Sequence, residues 1–317
     1  MIPYTEESSK SFKDSDKAPL FLAIGMFDGV HIGHQSLIKS AIAEARKNRG
    51  RAGVLTFWPH PSVFFKSPQP TRMIYPAERR THLLESLGVE EVIELPFDSG
   101  LSSIEAVDFP RWLKARYPDL QKVFVGANWH YGKGRKGNAQ TLRKHGPEVG
   151  FGVEAMERVH YADGPVSSSR IRSHLQKGEI EEANKLLGRP YHVRGEVRAG
   201  RKLGRKIGFP TLNLPWTYDL LPALGVYGVR VGSVNHAESS NAVANLGMRP
   251  TVESGATQPQ LEVHLLSGGS PWGEGSVLEV EWVFRLRPEQ RFESLDELSA
   301  QIRRDREEAL RRFAEKP

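Results

Sequence analysis

The chain contains no cysteine among its 317 residues, which excludes disulfides and cysteine-ligated zinc and is compatible with a reducing compartment. It has no apolar run near the roughly 20 residues that a bilayer-spanning helix needs. It also lacks a Walker A loop: the nearest approach, Gly132 to Gly137, is followed by Asn138 where that motif needs lysine. Kinase-type glycine-rich loops are absent too, so any phosphate transfer requires another scaffold. No internal repeat or long low-complexity segment is visible. The opening stretch, residues 1–17, is polar and mixed in charge, unlike a secretory signal, and is expected to fray ahead of the first strand.

What is present describes a folded chain. Hydrophobic residues make up 38% and charged residues 26%, the balance of a globular protein rather than a disordered one. The length suits two domains. The net charge of +6 favours anionic partners, either nucleic acid or a pocket for several phosphates.

From residue 20 to about 187, apolar strands alternate with helical patterns. Phe21–Gly25 is followed by a helix from near Gly33 that carries Leu37, Ile38, Ala41, Ile42 and Ala45 at helical spacing. Strands are expected at 54–58, 92–97 and 122–126. Helices are expected between Pro76 and Gly88 and over 109–117. This rhythm predicts parallel strands with helices on both faces and a ligand at the strands' carboxyl ends, where His31 and Asn128 fall. After Leu187 the texture changes to short strands separated by Gly/Pro-rich turns, which predicts an antiparallel barrel or sandwich. An amphipathic helix over 295–313 closes the chain. The boundary is expected near Gly188, giving domains 1–187 and 188–317.

The first candidate site is the stretch Gly25-Met26-Phe27-Asp28-Gly29-Val30-His31-Ile32-Gly33-His34. It turns from strand to helix, setting two imidazoles one helical turn apart beside free backbone N–H groups, a natural seat for phosphate. Alone, such a turn is often merely solvated. Three further segments strengthen it: Thr56-Phe57-Trp58-Pro59-His60-Pro61 and Val125-Gly126-Ala127-Asn128 at strand ends, and Ser167-Ser168-Ser169-Arg170-Ile171-Arg172 at a helix start. The last of these reads, by itself, as an ordinary capped helix with solvated arginines.

The second candidate site follows the basic run Gly200-Arg201-Lys202-Leu203-Gly204-Arg205-Lys206. In Gly208-Phe209-Pro210-Thr211-Leu212-Asn213, residues 211 and 213 point the same way if the segment is extended. Their two oxygens suit magnesium, a hard cation. Glu262, in Leu261-Glu262-Val263-His264-Leu265, is either an exposed-face carboxylate or a base that takes a proton from a hydroxyl.

Together, and in this order, these segments resemble the bacterial bifunctional riboflavin kinase/FAD synthetase family over residues 20–313. The first half resembles its FMN adenylyltransferase module, a Rossmann-like α/β sheet of the HxGH nucleotidyltransferases. The second, with GFPTLN, GVYGVRV, NLGMRPTV and LEVHLL, resembles the small antiparallel β-barrel of the riboflavin kinase module with its C-terminal helix. The resemblance implies that ATP phosphorylates riboflavin to FMN, then adenylylates FMN to FAD with release of pyrophosphate, both steps with Mg²⁺. It places His31 and His34 on the ATP phosphates and Asn128 near the reacting groups. Gly25, Phe27, Gly29, Ser168, Ser169 and Arg172 also join the ATP site. In the second half it assigns Gly208, Thr211 and Asn213 to ATP, the latter two also to the metal, Glu262 to the base role, and Asn245 and Arg249 to the flavin. It further implies a cytoplasmic enzyme, a monomer or weak homo-oligomer, with no nucleic-acid or membrane partner. The chain departs from the family pattern at Met26, at the bulky Trp129-His130-Tyr131, and at Ser267–Gly273.

A rival reading is a nucleic-acid-binding or flavin-sensing regulator, motivated by the positive charge and by Arg303-Arg304-Asp305-Arg306. Those arginines alternate with acids, as on a solvated helix laced with ion pairs. A narrower alternative is an enzyme with only one active half.

Overall fold

A computed structural model describes residues 18–200, 204, 208–233, 239–250 and 257–315, with the side chain of Pro250 left aside. The expected N-terminal fraying, the basic residues Arg201, Lys202, Arg205 and Lys206, and Thr251 lie outside the described residues. By internal contacts the chain forms two units, one of residues 1–71 and 77–160, the other of residues 72–76 and 161–317.

The first unit runs β1 (Leu20–Ile24), α1 (Ile32–Lys47), β2 (Arg51–Trp58), α2 (Pro61–Phe64), α3 (Ala77–Glu85), β3 (Glu91–Pro96), α4 (Ser99–Ser103), α5 (Phe109–Arg116), β4 (Leu120–Gly126), the short pair β5 (His130–Tyr131) and β6 (Gly137–Asn138), α6 (Ala139–His145) and β7 (Gly152–Met156). Its five-stranded sheet has the order β3-β2-β1-β4-β7 and is parallel throughout. The central β1 is buried along its whole length, as a strand covered on both faces must be. Its alternate residues feed two cores. Leu20, Leu22 and Ile24 join Leu55, Phe109 and Leu113, whereas Phe21 and Ala23 join Leu37, Ile38, Ala41, Ile42 and Ala45 of α1. Sequence order reverses between β1 and β4, and crevices at such switch points are where open α/β sheets bind ligands.

The second unit continues with β8 (His160–Tyr161) paired to β9 (Gly164–Pro165), then α7 (Ser168–Lys177), α8 (Ile180–Leu187), β10 (Tyr191–Glu196), β11 (Leu212–Pro215), β12 (Gly225–Ser233), β13 (Ser239–Pro250), β14 (Thr257–Leu265), β15 (Val277–Pro288) and α9 (Leu295–Glu315). Six strands form an antiparallel sheet in the order β10-β15-β12-β13-β14-β11. Its two ends meet in a bridge between Arg198 and Asn213, where the Arg198 amide donates to the Asn213 carbonyl at 2.9 Å. Helix α9 covers one side, burying Ala309 and Phe313 against Leu266 and Phe284. Asp305, buried in α9, accepts a forked bond from Arg287 of β15 at 2.8–3.1 Å.

Helices α7 and α8, expected in the first half, group by contacts with this second unit. The apolar face of α8 (Ile180, Ala183, Leu186, Leu187) is buried, and α8 packs on β10 and β15. Asn184 fastens it twice, donating to the Trp282 carbonyl at 2.8 Å and accepting from the Tyr191 amide at 2.7 Å.

Candidate functional site

In the first unit, the link from β1 to α1 is a strained turn. Phe27 and Val30 hold φ angles of 49° and 43°, and Gly29 lies at 79°. Non-glycine residues avoid this left-handed region. Persistent strain of this kind marks segments whose surroundings over-determine them. The Phe27 ring is 1% exposed and meets His34 edge-on, so any phosphate contact at this residue falls to its backbone.

His31 is the N-cap of α1, and its Nδ1 accepts from the His34 amide at 3.2 Å. A ring nitrogen that accepts carries no proton, so the neutral His31 imidazole holds its proton on Nε2. The His31 and His34 rings stack with centroids 3.5 Å apart. Gly33 leaves room beside the stack: a Cβ there would lie 3.2 Å from His31 Cε1 and 3.3 Å from Nδ1, tighter than usual. The four residues His31 to His34, among them one glycine and two stacked imidazoles, thus lie together past the carboxyl end of β1.

Asn128 is exposed just past the end of β4, the strand beside β1. The neighbouring bulk is absorbed by the unit's own interior. Trp129 and Tyr131 stack at 5.0 Å, and both rings contact Phe109. Burial pushes the Tyr131 hydroxyl pKa up, opposed by its contact with Thr141. His60 caps α2 locally, its Nδ1 accepting from the Ser62 amide at 3.1 Å.

Ser168, Ser169 and Arg172 belong to α7 in the second unit. The capping residue is Ser167, whose hydroxyl accepts from the Arg170 amide at 3.2 Å. Arg170 turns back to the carbonyls of Tyr161 and Gly164, while Arg172 Nη2 donates to Ser169 Oγ at 3.2 Å.

The antiparallel sheet gathers the other candidates. Glu262 on β14 stands opposite Asn213 of β11 on one side and Asn245 of β13 on the other. Directly opposed residues share a face, so three candidates form one row across three strands. Arg249, further along β13, reaches the Glu262 carboxylate with Nε and Nη2, each at 3.3 Å. Its Nη1 donates to Glu289 at 3.1 Å. Burial works against the guanidinium charge, yet the bonds from Glu262 and Glu289 win, so the Arg249 pKa lies above its ordinary value.

Thr211 and Asn213 are half-buried at the start of β11, and Gly208 is exposed with φ 84°. Gly200 lies so close to the Asn213 amide that a Cβ there would sit 2.2 Å from Nδ2. His264, two residues after Glu262, was not singled out by its sequence context. It donates from Nδ1 to the Pro210 carbonyl at 2.9 Å and packs edge-on against Phe209. The segment bearing Thr211 is therefore pinned to the strand bearing Glu262. Among the described residues no group of three or more His, Asp or Glu could hold a metal by itself.

Family models match both halves, FAD synthetase over residues 13–170 and riboflavin kinase over residues 187–313. The bifunctional riboflavin kinase/FMN adenylyltransferase of Bacillus subtilis strain 168 is 36% identical over 305 residues, covering 94% of each chain. That of Escherichia coli K12 is 37% identical over 285 residues, covering 90% of each. A crystal structure bearing the name macrolide-efflux protein, from Streptococcus pneumoniae, matches with a TM-score of 0.82 at 31% identity, covering 93% of this chain and 94% of that one. Among the described residues no helix is long and apolar enough to cross a membrane.

Proposed function

The chain belongs to the bifunctional riboflavin kinase/FMN adenylyltransferase family, and from that membership we propose how its own residues divide the two reactions. The enzyme phosphorylates riboflavin to FMN and adenylylates FMN to FAD. We assign the first reaction to residues 188–317, a riboflavin kinase barrel, and the second to residues 1–187, a Rossmann-like HxGH nucleotidyltransferase, in the cytoplasm.

In the kinase half, the carboxylate of Glu262 accepts the proton of the ribityl 5′-hydroxyl as that oxygen attacks the γ-phosphorus of ATP and ADP leaves. The row Asn213–Glu262–Asn245 is the observation that carries this reading, because it sets an acceptor between two amide side chains. Gly208, Thr211 and Asn213 face ATP, and Asn245 and Arg249 frame the flavin. Thr211 and Asn213 offer two hard oxygen donors, which fits Mg²⁺, an ion that completes its shell with phosphate and water. Bound there, Mg²⁺ neutralises charge on the transferring phosphoryl group.

In the adenylyltransferase half, an FMN phosphate oxygen attacks the α-phosphorus of ATP and pyrophosphate leaves. No enzyme nucleophile is needed, so the work is positioning and charge stabilisation. The Nε2–H of His31, His34 and the backbone of Gly25, Phe27 and Gly29 receive the phosphates, with Asn128 beside the reacting groups. Ser168, Ser169 and Arg172 supply a further anion seat at the start of α7.

Incubation of the purified chain with riboflavin, ATP and Mg²⁺, followed by chromatography of the flavins over time, tests the scheme. FMN should rise first and then fall as FAD appears. FMN alone would leave the adenylyltransferase half without activity, and tight flavin binding with no turnover would favour a sensor.

A further inference from the structure

Arg80 is fully buried on α3, in a position where a sequence of charged residues reads as a solvated helix face. Burying a guanidinium is costly unless its charge is paired; here both Nη atoms find partners, while the buried Nε makes no hydrogen bond among the described residues. Nη2 pairs with the Glu94 carboxylate of β3, and the guanidinium carbon lies 5.8 Å from the Trp58 ring centre. Nη1 donates to the backbone carbonyl of Met26 at 3.3 Å. That carbonyl also accepts from Thr56 Oγ1 at 3.2 Å, a hydroxyl that is itself fully buried. Both lone pairs of the Met26 oxygen are thereby engaged by side chains from outside the turn.

Met26 immediately precedes the strained residues Phe27 to Val30 and the histidine cap. Left-handed angles at Phe27 and Val30 persist only where the surroundings hold them; the Val30 amide donates to the Phe27 carbonyl at 3.1 Å, and Gln35 Nε2 donates to the Val30 carbonyl at 2.9 Å. The clamp of two bonds to the Met26 carbonyl fixes the point where the chain enters this turn. We propose that Arg80 is a positioning residue for adenylyl transfer, fixing Met26 and through it the amides and imidazoles of the phosphate seat. The role is transmitted through the backbone, since Arg80 itself is sealed from any ligand. It rests on the assignment of the His31/His34 turn to ATP.

The test uses the full chain and compares both reactions on the same polypeptide. Arg80→Met should lower kcat for FAD formation about tenfold or more, the scale expected from a small displacement of positioned groups. FMN formation from riboflavin should stay at the wild-type rate. Because Arg80→Met strands the Glu94 carboxylate, the double variant Arg80→Met/Glu94→Leu separates positioning from folding. It should recover the wild-type melting temperature without recovering FAD synthesis. Arg80→Lys, which keeps a charge but not the fork, should fall between. If the single variant fails to fold, Thr56→Val reads the same clamp from its other donor and should also lower kcat for FAD formation.

Recovery of both stability and FAD synthesis in the double variant would overturn the proposal, reducing Arg80 to half of an ion pair. So would an unchanged kcat in Arg80→Met or Thr56→Val. The underlying phosphate-seat assignment fails separately, if the variant His31→Ala/His34→Ala still makes FAD.

Discussion

Asn213 and Glu262 stand directly opposite each other in the β11–β14 ladder. An amide proposed to hold Mg-ATP and a carboxylate proposed to take the hydroxyl proton are thus one cross-strand pair apart. Glu262→Gln preserves the shape and removes the proton acceptor. FMN formation should be lost while FAD formation from supplied FMN continues, read by separate initial-rate assays. Wild-type phosphorylation of riboflavin by this variant would remove Glu262 from the base role.

Arg249 is shared between Glu262 and Glu289. Its removal leaves two carboxylates facing each other without the cation that separates them. Arg249→Ala should lower kcat for FMN formation by roughly tenfold, the cost of about 1.4 kcal/mol in the transition state, with Arg249→Lys less affected. A rise in KM for riboflavin at constant kcat would instead assign the guanidinium to flavin contact alone.

Gly33→Ala should separate stability from activity. Alanine favours a helix over glycine by up to about 1 kcal/mol, so α1 should gain stability. The added methyl group would lie 3.2 Å from the His31 ring, so the ring must give by a few tenths of an ångström, enough to disturb the stack with His34. FAD synthesis should fall while thermal melting holds or rises; a drop in both would point to general damage to the helix start.

Tyr227 is fully buried, and that burial pushes its hydroxyl from the ordinary 10.0 up to about 12. The sign follows from linkage. Below pH 10 both folded and unfolded chains keep the proton, so the contribution of this group to stability is complete. Between pH 10 and about 12 only the unfolded chain loses the proton, and stability falls by about 1.4 kcal/mol per pH unit on this account. Tyr227→Phe should flatten that alkaline fall in a series of melts. Near neutral pH it should cost about 1 kcal/mol for the lost bond to the Ala223 carbonyl. An unchanged alkaline slope would assign the fall to other groups.

Much of this architecture is legible in the chain because local patterns and packing agree. The five apolar positions of α1 expected to face inward are the five that are buried, since a one-sided stripe has only one way to leave water. The strand ends carrying His31 and Asn128 follow from the alternation of elements. Register is a different matter. The spacing along the chain does not reveal that Asn213, Glu262 and Asn245 align, because a one-residue slip in either ladder would turn the row to the opposite face. The amphipathic face of α8 signals burial but not which sheet receives it. Arg80 gives no signal at all, as a buried arginine in a charged stretch looks like any solvated one. His264 hides for the opposite reason, sitting among apolar neighbours while its ring secures a loop.

The seam where β10 meets β11 makes Asn213 a residue with two loyalties. Its carbonyl accepts from the Arg198 amide where the two ends of the sheet meet, while its side chain is assigned to Mg-ATP. Nucleotide seated on that side chain would hold the Asn213 carbonyl in place against the Arg198 amide. The Arg198 amide is then a built-in gauge of occupancy. Its deuterium uptake should slow on addition of Mg-ATP, before any flavin is present.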